Sequence, residues 1–474
     1  MAMTLRSLVR TKALSDFQHD GETSGLKRTL GTWELIALGI GAIIGAGIFA
    51  TVGTAAAGNG ARPGAGPGLI LSFVLTAAVC ALAALCYAEL AALVPIAGSA
   101  YTYAYATLGE LVAWIIGWDL IIEYAVGNVA VAISWSGYFR ELLMGVGLEI
   151  PMWLATDVRT ALASPEIMAV APRIAGIPIV MNLPAAFIVL AITWVLVIGV
   201  KESSRLNVLM VIIKLAVLAF FVIVGTFYVA PENYHPFLPN GWPGVWAGAA
   251  IVFFAYIGFD AVSTAAEETK DPGRNLPRGI LGSLIISTIV YVLVAAVVVG
   301  MVPTSELHTA EPLALAMNRH GLGWAAGIVA VGSVAANTAV LLVFQLGQPR
   351  IFFSMARDGL LPPAFARVHP RYKTPHMTTI LTGVLVAVFA SFANIEEMVE
   401  LTNIGTLFAF AIVAAGVIVL RRTNPDAKRP FRVPFSPWVP LAALLACLFL
   451  AAGLPLVTWW RFGIWLAIGL AIYF

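Results

Sequence analysis

A chain of 474 residues that is 60% hydrophobic and only 11% charged cannot keep most of its surface in water, because a soluble chain of this length carries roughly 25% charged residues. The formal net charge of +2 says little in itself and implies no nucleic-acid partner, but the placement of the charges is informative. Most of the surface is expected to face lipid.

About 20 apolar residues cross a bilayer. Such stretches run at 33–55, 67–94, 106–139, 182–200, 206–230, 244–267, 279–302, 323–349, 376–394, 398–420, 437–454 and 462–474, so about twelve transmembrane helices are expected. Residues 1–30 are polar and basic, without the apolar core of a signal peptide, and form the expected N-terminal tail. Between the third and fourth spans, 140–180 is the longest polar excursion and can hold short surface helices. The last stretch, "FGIWLAIGLAIYF", reaches the chain end without a polar flank, so the final helix is expected to be short or truncated.

Lysine and arginine set the orientation. One side carries Arg6, Arg10, Lys12, Lys27 and Arg28, then "KESSR" (201–205), "KDPGRNLPR" (270–278), Arg350 to Lys373 and "RRTNPDAKRPFR" (421–432). The other has only Arg62, Arg140, Arg159, Arg173, Arg319 and Arg461. Both termini are therefore expected in the cytoplasm, with the protein multi-pass in the plasma membrane (the inner membrane, for a bacterium). Cys80, Cys86 and Cys447 all fall in apolar runs and read as core residues. No HExxH, Walker or post-strand GxGxxG pattern appears, so no enzyme activity, metal or cofactor is expected.

The first span contains "LGIGAIIGAGIFA", with Gly39, Gly41, Gly45 and Gly47 at its middle. Each glycine weakens a helix by about 1 kcal/mol relative to alanine. Two readings stand: close helix packing through the Gly41–Gly45 spacing, or a broken helix whose freed N–H and C=O groups hold a ligand. The sixth span, with "FFAYIGFDAVSTAAEE", places Gly258 at mid-depth and Asp260 just beyond it. An intramembrane carboxylate is costly and marks function by default, so Asp260 either pairs with freed backbone or serves substrate or proton. Matching interruptions five spans apart favour a carrier built from inverted repeats.

Other intramembrane charges stand out. Lys214, in "LNVLMVIIKLAVLAFF", is near the middle of the fifth span, where a lysine costs about 2.5–3.5 kcal/mol on insertion scales; it is either a proton-exchanging group or a static staple. Asp119 and Glu123, in "GWDLIIEYAVGN", are spaced i, i+4 on one helix face. They can relay protons, meet a distal amine of the substrate, or hold neighbouring backbone. Glu267 and Glu268 precede Lys270, Arg274 and Arg278 and are expected to pair with them. Glu89 at the end of the second span reads as a gate or loop anchor.

"IGAGIF" in span one, "CYAELAALVPIAGSAYTYAY" (86–105) and "IGFDAVSTAAEETKDPGRNLPRGI" (257–280) resemble the amino acid–polyamine–organocation superfamily. "PRIFFSMARDGLLP" (349–362) and "FRVPFSPWVP" (431–440) are similar to its cationic amino acid transporter branch and bacterial homologues. The resemblance runs from about residue 30 to the end. It implies an all-α membrane protein of LeuT type: a five-helix repeat over 31–230, its inverted copy over 240–420, and two additional C-terminal helices over 437–474. It also implies broken helices 1 and 6, alternating access and a substrate at the bilayer midplane. Carried over by position, it puts a substrate carboxylate on the N–H groups of Ala46 and Gly47. The ammonium then meets the carbonyls of Ile43, Phe254 and Ile257, with Phe254 also an aromatic gate. Ala46 stands where many relatives have a hydroxyl residue. Lys214 takes the place of a sodium ion in related carriers, bonding carbonyls of spans one and eight when protonated. Phe344 falls at a pocket position often small in arginine and lysine carriers, which favours small neutral amino acids.

The expected function is secondary transport of L-amino acids, proton-coupled or exchanging, with the amino acid, protons and the lipid bilayer as partners and no protein partner identifiable. A cationic amino acid or polyamine carrier, or a non-transporting sensor on the same fold, is the alternative.

Overall fold

A computed structural model describes residues 10–12, 28–59, 62–96, 98–198, 204–372 and 374–474, without the side chains of 204–207. Most of the N-terminal tail, including Arg6 and Lys27, lies outside the described residues, as do residues 201–203 of "KESSR" and Lys373.

The chain is an assembly of apolar helices. Span one is α1 (Thr32–Ile43), an interruption, a wide π-type turn (Gly47–Thr51) and α2 (Val52–Ala57). Then follow α3 (Leu69–Leu93), the short α4 (Ser99–Thr107), and a third span made of α5 (Glu110–Ile121), a second π-type turn (Ile122–Val126) and α6 (Gly127–Gly145). The 146–182 excursion holds α7 (Val158–Leu162), α8 (Pro165–Val170) and a two-stranded hairpin, Arg173–Ile174 with Ile177–Pro178. Next come α9 (Leu183–Ile198), α10 (Ser204–Thr226) and α11 (Gly241–Val252), the last continued by 3₁₀ turns over Phe253–Tyr256 and Asp260–Glu268. The chain ends with α12 (Pro272–Met301), α13 (Pro312–Arg319), α14 (Gly323–Arg357), α15 (His376–Phe392), α16 (Ile395–Thr423), α17 (Trp438–Ala451) and α18 (Leu456–Tyr473).

Among the described residues, eight helices are long and apolar enough to cross a membrane, and the bent pair of span one makes a ninth. Apolar helices α9, α15 and α17 coincide with the remaining expected spans but are shorter than 18 residues. The final span begins at Leu456, earlier than expected, because Trp459, Trp460 and Arg461 belong to the helix. Such residues suit a helix end at the membrane boundary, so their polarity did not mark a loop.

Helix α12 packs along α3, α14 along α6, and α15 along α9. These pairs join spans two and seven, three and eight, and four and nine. Span one lies against α12, α10 and α14, so both interruptions sit inside the bundle. Buried Leu35, Phe49, Tyr87, Phe253, Tyr256 and Tyr291 line this interior. With lipid as apolar as the core, such contacts act through packing and hydrogen bonds, not through release of water.

Candidate functional site: two broken helices meeting in the bundle

The glycines of span one do mark an interruption. Ile44 is extended at φ −80°, ψ 105°, and the axis bends by 41° between Thr32–Ile43 and Gly47–Ala57. Span six is interrupted at the matching place: Ile257 is extended at φ −62°, ψ 136°, and Gly258 has φ +118°, a conformation that glycine adopts without the strain of a Cβ. A Cβ at Gly258 would also lie 2.9 Å from the Ala42 backbone. The two breaks touch at Gly47, where a Cβ would fall 2.2 Å from Ala255 Cα. The broken helix is present, and close packing accompanies it at Gly47 and at Gly45, where a Cβ would lie 2.6 Å from Val340 Cγ2 of α14.

Freed backbone groups in a membrane need partners, and several side chains supply them. Lys214 Nζ donates to Gly41 O and Ile44 O, each at 2.8 Å. The Tyr291 hydroxyl lies 3.0 Å from Ile43 O and 2.8 Å from Ala255 O, so one O–H is shared between the two breaks. Asn403 Nδ2 donates to Ala250 O at 2.7 Å and Ile251 O at 3.1 Å. Tyr138 donates to Phe49 O at 2.6 Å. The donors at the break are treated differently: among the described residues, the N–H groups of Gly45 and Ala46, which lie between the two helical pieces, have no main-chain acceptor. The carbonyl of Ile257 likewise receives no main-chain donor, whereas that of Phe254 accepts from Ile257 N at 3.4 Å.

The structure therefore brings Ile43, Ala46, Gly47, Phe254 and Ile257 to one region, all nearly inaccessible, with Ile43 O already engaged by Tyr291. Lys214 is fully buried; its bonds go to span one, not to span eight, and it has no ion-pair partner among the described residues.

A second polar cluster adjoins span six. Asp260 Oδ2 accepts from Ser99 Oγ at 3.3 Å and Tyr124 Oη at 3.4 Å, while Oδ1 has no partner. Glu123, on the π-type turn of span three, is buried as well, and its Oε2 has no hydrogen-bond partner among the described residues. Asp119 is buried with Oδ1 unpartnered, beside Gly405 of α16. Phe344 is buried with its ring centroid 5.5 Å from that of Tyr124, and it abuts Gly127. The sequence reading missed Tyr291, Asn403, Tyr124 and both π-type turns. Such turns gather at functional sites, but no sequence pattern distinguishes them from plain helix.

A cavity of about 710 Å³ opens at the end carrying the 146–182 excursion, and its floor includes Ala50, Thr51, Ile133 and Ile251. Those residues lie just beyond the breaks; Ala46, Gly47, Phe254, Ile257 and Phe344 do not line it. Its rim is tied by Arg62–Glu400 at 2.6 Å, Arg140–Glu311 at 3.1 Å and His308–Glu396 at 2.9 Å. The opposite, basic end is closed: Glu89 is gripped by Arg421 at 2.5 Å, Arg429 at 3.3 Å and Val433 N at 2.7 Å. Asp358 there accepts from Tyr101 at 2.8 Å and Lys12 at 3.2 Å. The pairing expected of Glu268 with Lys270, Arg274 and Arg278 does not form, because the chain turns through left-handed Asp271 (φ 45°) before α12 and redirects the arginines.

A family model described as amino acid permease matches residues 30–472. A branched-chain amino acid permease of Bacillus subtilis is 47% identical over 471 residues, covering 99% of this chain and 97% of its own. A methylthioribose transporter of the same organism is 46% identical, covering 99% and 98%. A vacuolar cationic amino acid transporter of Arabidopsis thaliana is 39% identical, covering 89% of this chain and 68% of its own.

Proposed function

The chain belongs to the amino acid permease family, and from that premise we propose that it is a secondary carrier of neutral L-amino acids with apolar side chains, driven by protons. The observation that carries the reading is the asymmetry at the breaks: carbonyls are capped by Lys214, Tyr291 and Asn403, while the N–H groups of Gly45 and Ala46 stay without a main-chain acceptor. Open N–H groups at a half-helix start suit a carboxylate, and the free carbonyl of Ile257 suits an ammonium. Phe344, wedged between Tyr124 and Gly127, shortens the space for a long cationic side chain. The branched-chain permease among the relatives supports the same choice.

Packing of spans two with seven, three with eight and four with nine supports an inverted repeat over 31–230 and 240–420, with α17 and α18 outside it and twelve spans in all. The basic loops then face the cytoplasm of a bacterium. On that orientation the structure is open outward and shut inward, one stage of alternating access. Protons act at Lys214, Glu123 and Asp260, with Asp119 nearby.

Uptake into liposomes with an inward proton gradient tests the proposal. Labelled leucine is expected to accumulate and to be displaced by isoleucine, valine and alanine, but not by arginine. Displacement by methylthioribose alone would transfer the reading to the substrate named for the second relative; accumulation without a gradient and only against internal amino acid would make the protein an exchanger.

A further inference from the structure

The basic end bears a groove of about 570 Å³ between the start of α12 and the loop after α16, lined by Asp271, Arg274, Arg278 and Leu281 on one side and by Pro430 and Phe431 on the other. Arg274 and Arg278 are exposed and make no ion pair among the described residues. They outweigh the one carboxylate in the wall. From them a single helix face continues through Leu281, Ile285, Ile289 and Leu293 at steps of three and four residues, as one side of an α-helix requires. Ile285, Ile289 and Leu293 are 60%, 56% and 48% exposed. That face therefore runs from two unpaired cations at the membrane boundary into an uncovered apolar stripe about 22 Å long, at 1.5 Å per residue from Arg278.

We propose that this groove holds an anionic phospholipid of the adjacent leaflet, its phosphate between Arg274 and Arg278 and one acyl chain along Leu281, Ile285, Ile289 and Leu293. Charge selects the occupant. A zwitterionic lipid brings a cationic headgroup that the arginines repel, whereas an anionic one leaves its charge to them, and basic recesses on the cytoplasmic side of membrane helices bind such headgroups. A free anion has no use for the stripe. The site lies outside the bundle interior and does not depend on what the carrier moves.

Native mass spectrometry of the purified full chain in detergent, offered dioleoylphosphatidylglycerol or dioleoylphosphatidylcholine, tests this. The wild type is expected to retain phosphatidylglycerol and to shed phosphatidylcholine. Each arginine removed in Arg274→Gln and Arg278→Gln should weaken retention roughly fivefold, while the double lysine variant, Arg274→Lys with Arg278→Lys, keeps the charge and most of the binding. Equal melting temperatures across the set would show that folding is intact. Undiminished phosphatidylglycerol on the double glutamine variant, equal retention of phosphatidylcholine by the wild type, or displacement of the lipid by millimolar inorganic phosphate would each overturn the assignment.

Discussion

Lys214 has three N–H donors as an ammonium and two as an amine, and it bonds two carbonyls, those of Gly41 and Ile44. Loss of its proton therefore leaves both bonds possible and changes chiefly the charge beside the break. Under the proposed proton coupling, release of span one therefore needs more than a missing hydrogen bond. Lys214→Ala should abolish proton-driven leucine accumulation. It should also lower the melting temperature, because two buried acceptors lose their donor at about 1–3 kcal/mol each. Accumulation at the wild-type level would make Lys214 a staple. At the rim, the His308 imidazole is raised above its ordinary range by its hydrogen bond to Glu396, partly opposed by burial and by Arg62. A raised folded-state value means that the His308 contribution is complete below about pH 6.5 and fades as the pH climbs through the raised value. For a half-exposed pair it is worth at most about 1 kcal/mol. Melting curves between pH 5.5 and 8 should show this slope in the wild type and lose it in His308→Gln.

Among elements, the two interruptions act as one joint. Gly47 lies against Ala255, and Tyr291 on α12 reaches a carbonyl of each. Gly47→Ala places a methyl group inside the Ala255 backbone and must push the breaks apart. Uptake is expected to fall at least tenfold while the protein still reaches the membrane, measured as transport per protein in sealed vesicles. Half of this joint was readable in advance. Gly45, Gly47 and Gly258 announced it because only glycine tolerates the approach and the backbone, and Asp260 announced it because a carboxylate in lipid needs a reason. Tyr291, Asn403 and Tyr124 gave no signal, since an aromatic or amide residue in an apolar run has no visible partner until the helices are packed. The spans were legible from hydropathy, but the ends were not: tryptophans and Arg461 at the start of α18 looked like loop, although Arg461 lies 2.9 Å from Glu397. The arginines of α12 were misjudged for a related reason, since nearness in sequence suggested partners that the turn at Asp271 takes away.

At the scale of the whole molecule, one end is hollow and the other is bolted. The bolt is Glu89, held by two arginines and a main-chain N–H. Glu89→Gln removes its charge and should shift the population toward opening at the basic end. The native cysteines are all buried, so a cysteine placed at Ala310 in the far cavity reports cleanly: its alkylation should slow several-fold in the Glu89→Gln background, and an unchanged rate would mean that the bolt does not govern opening. The bolt and the peripheral groove share a strip of chain. Arg429 and Val433 turn inward to Glu89, and between them Pro430 and Phe431 form the outer wall against α12. Under the alternating access proposed above, a guest in that recess would lean on the strip beside the bolt, and turnover is then expected to follow the make-up of the surrounding leaflet.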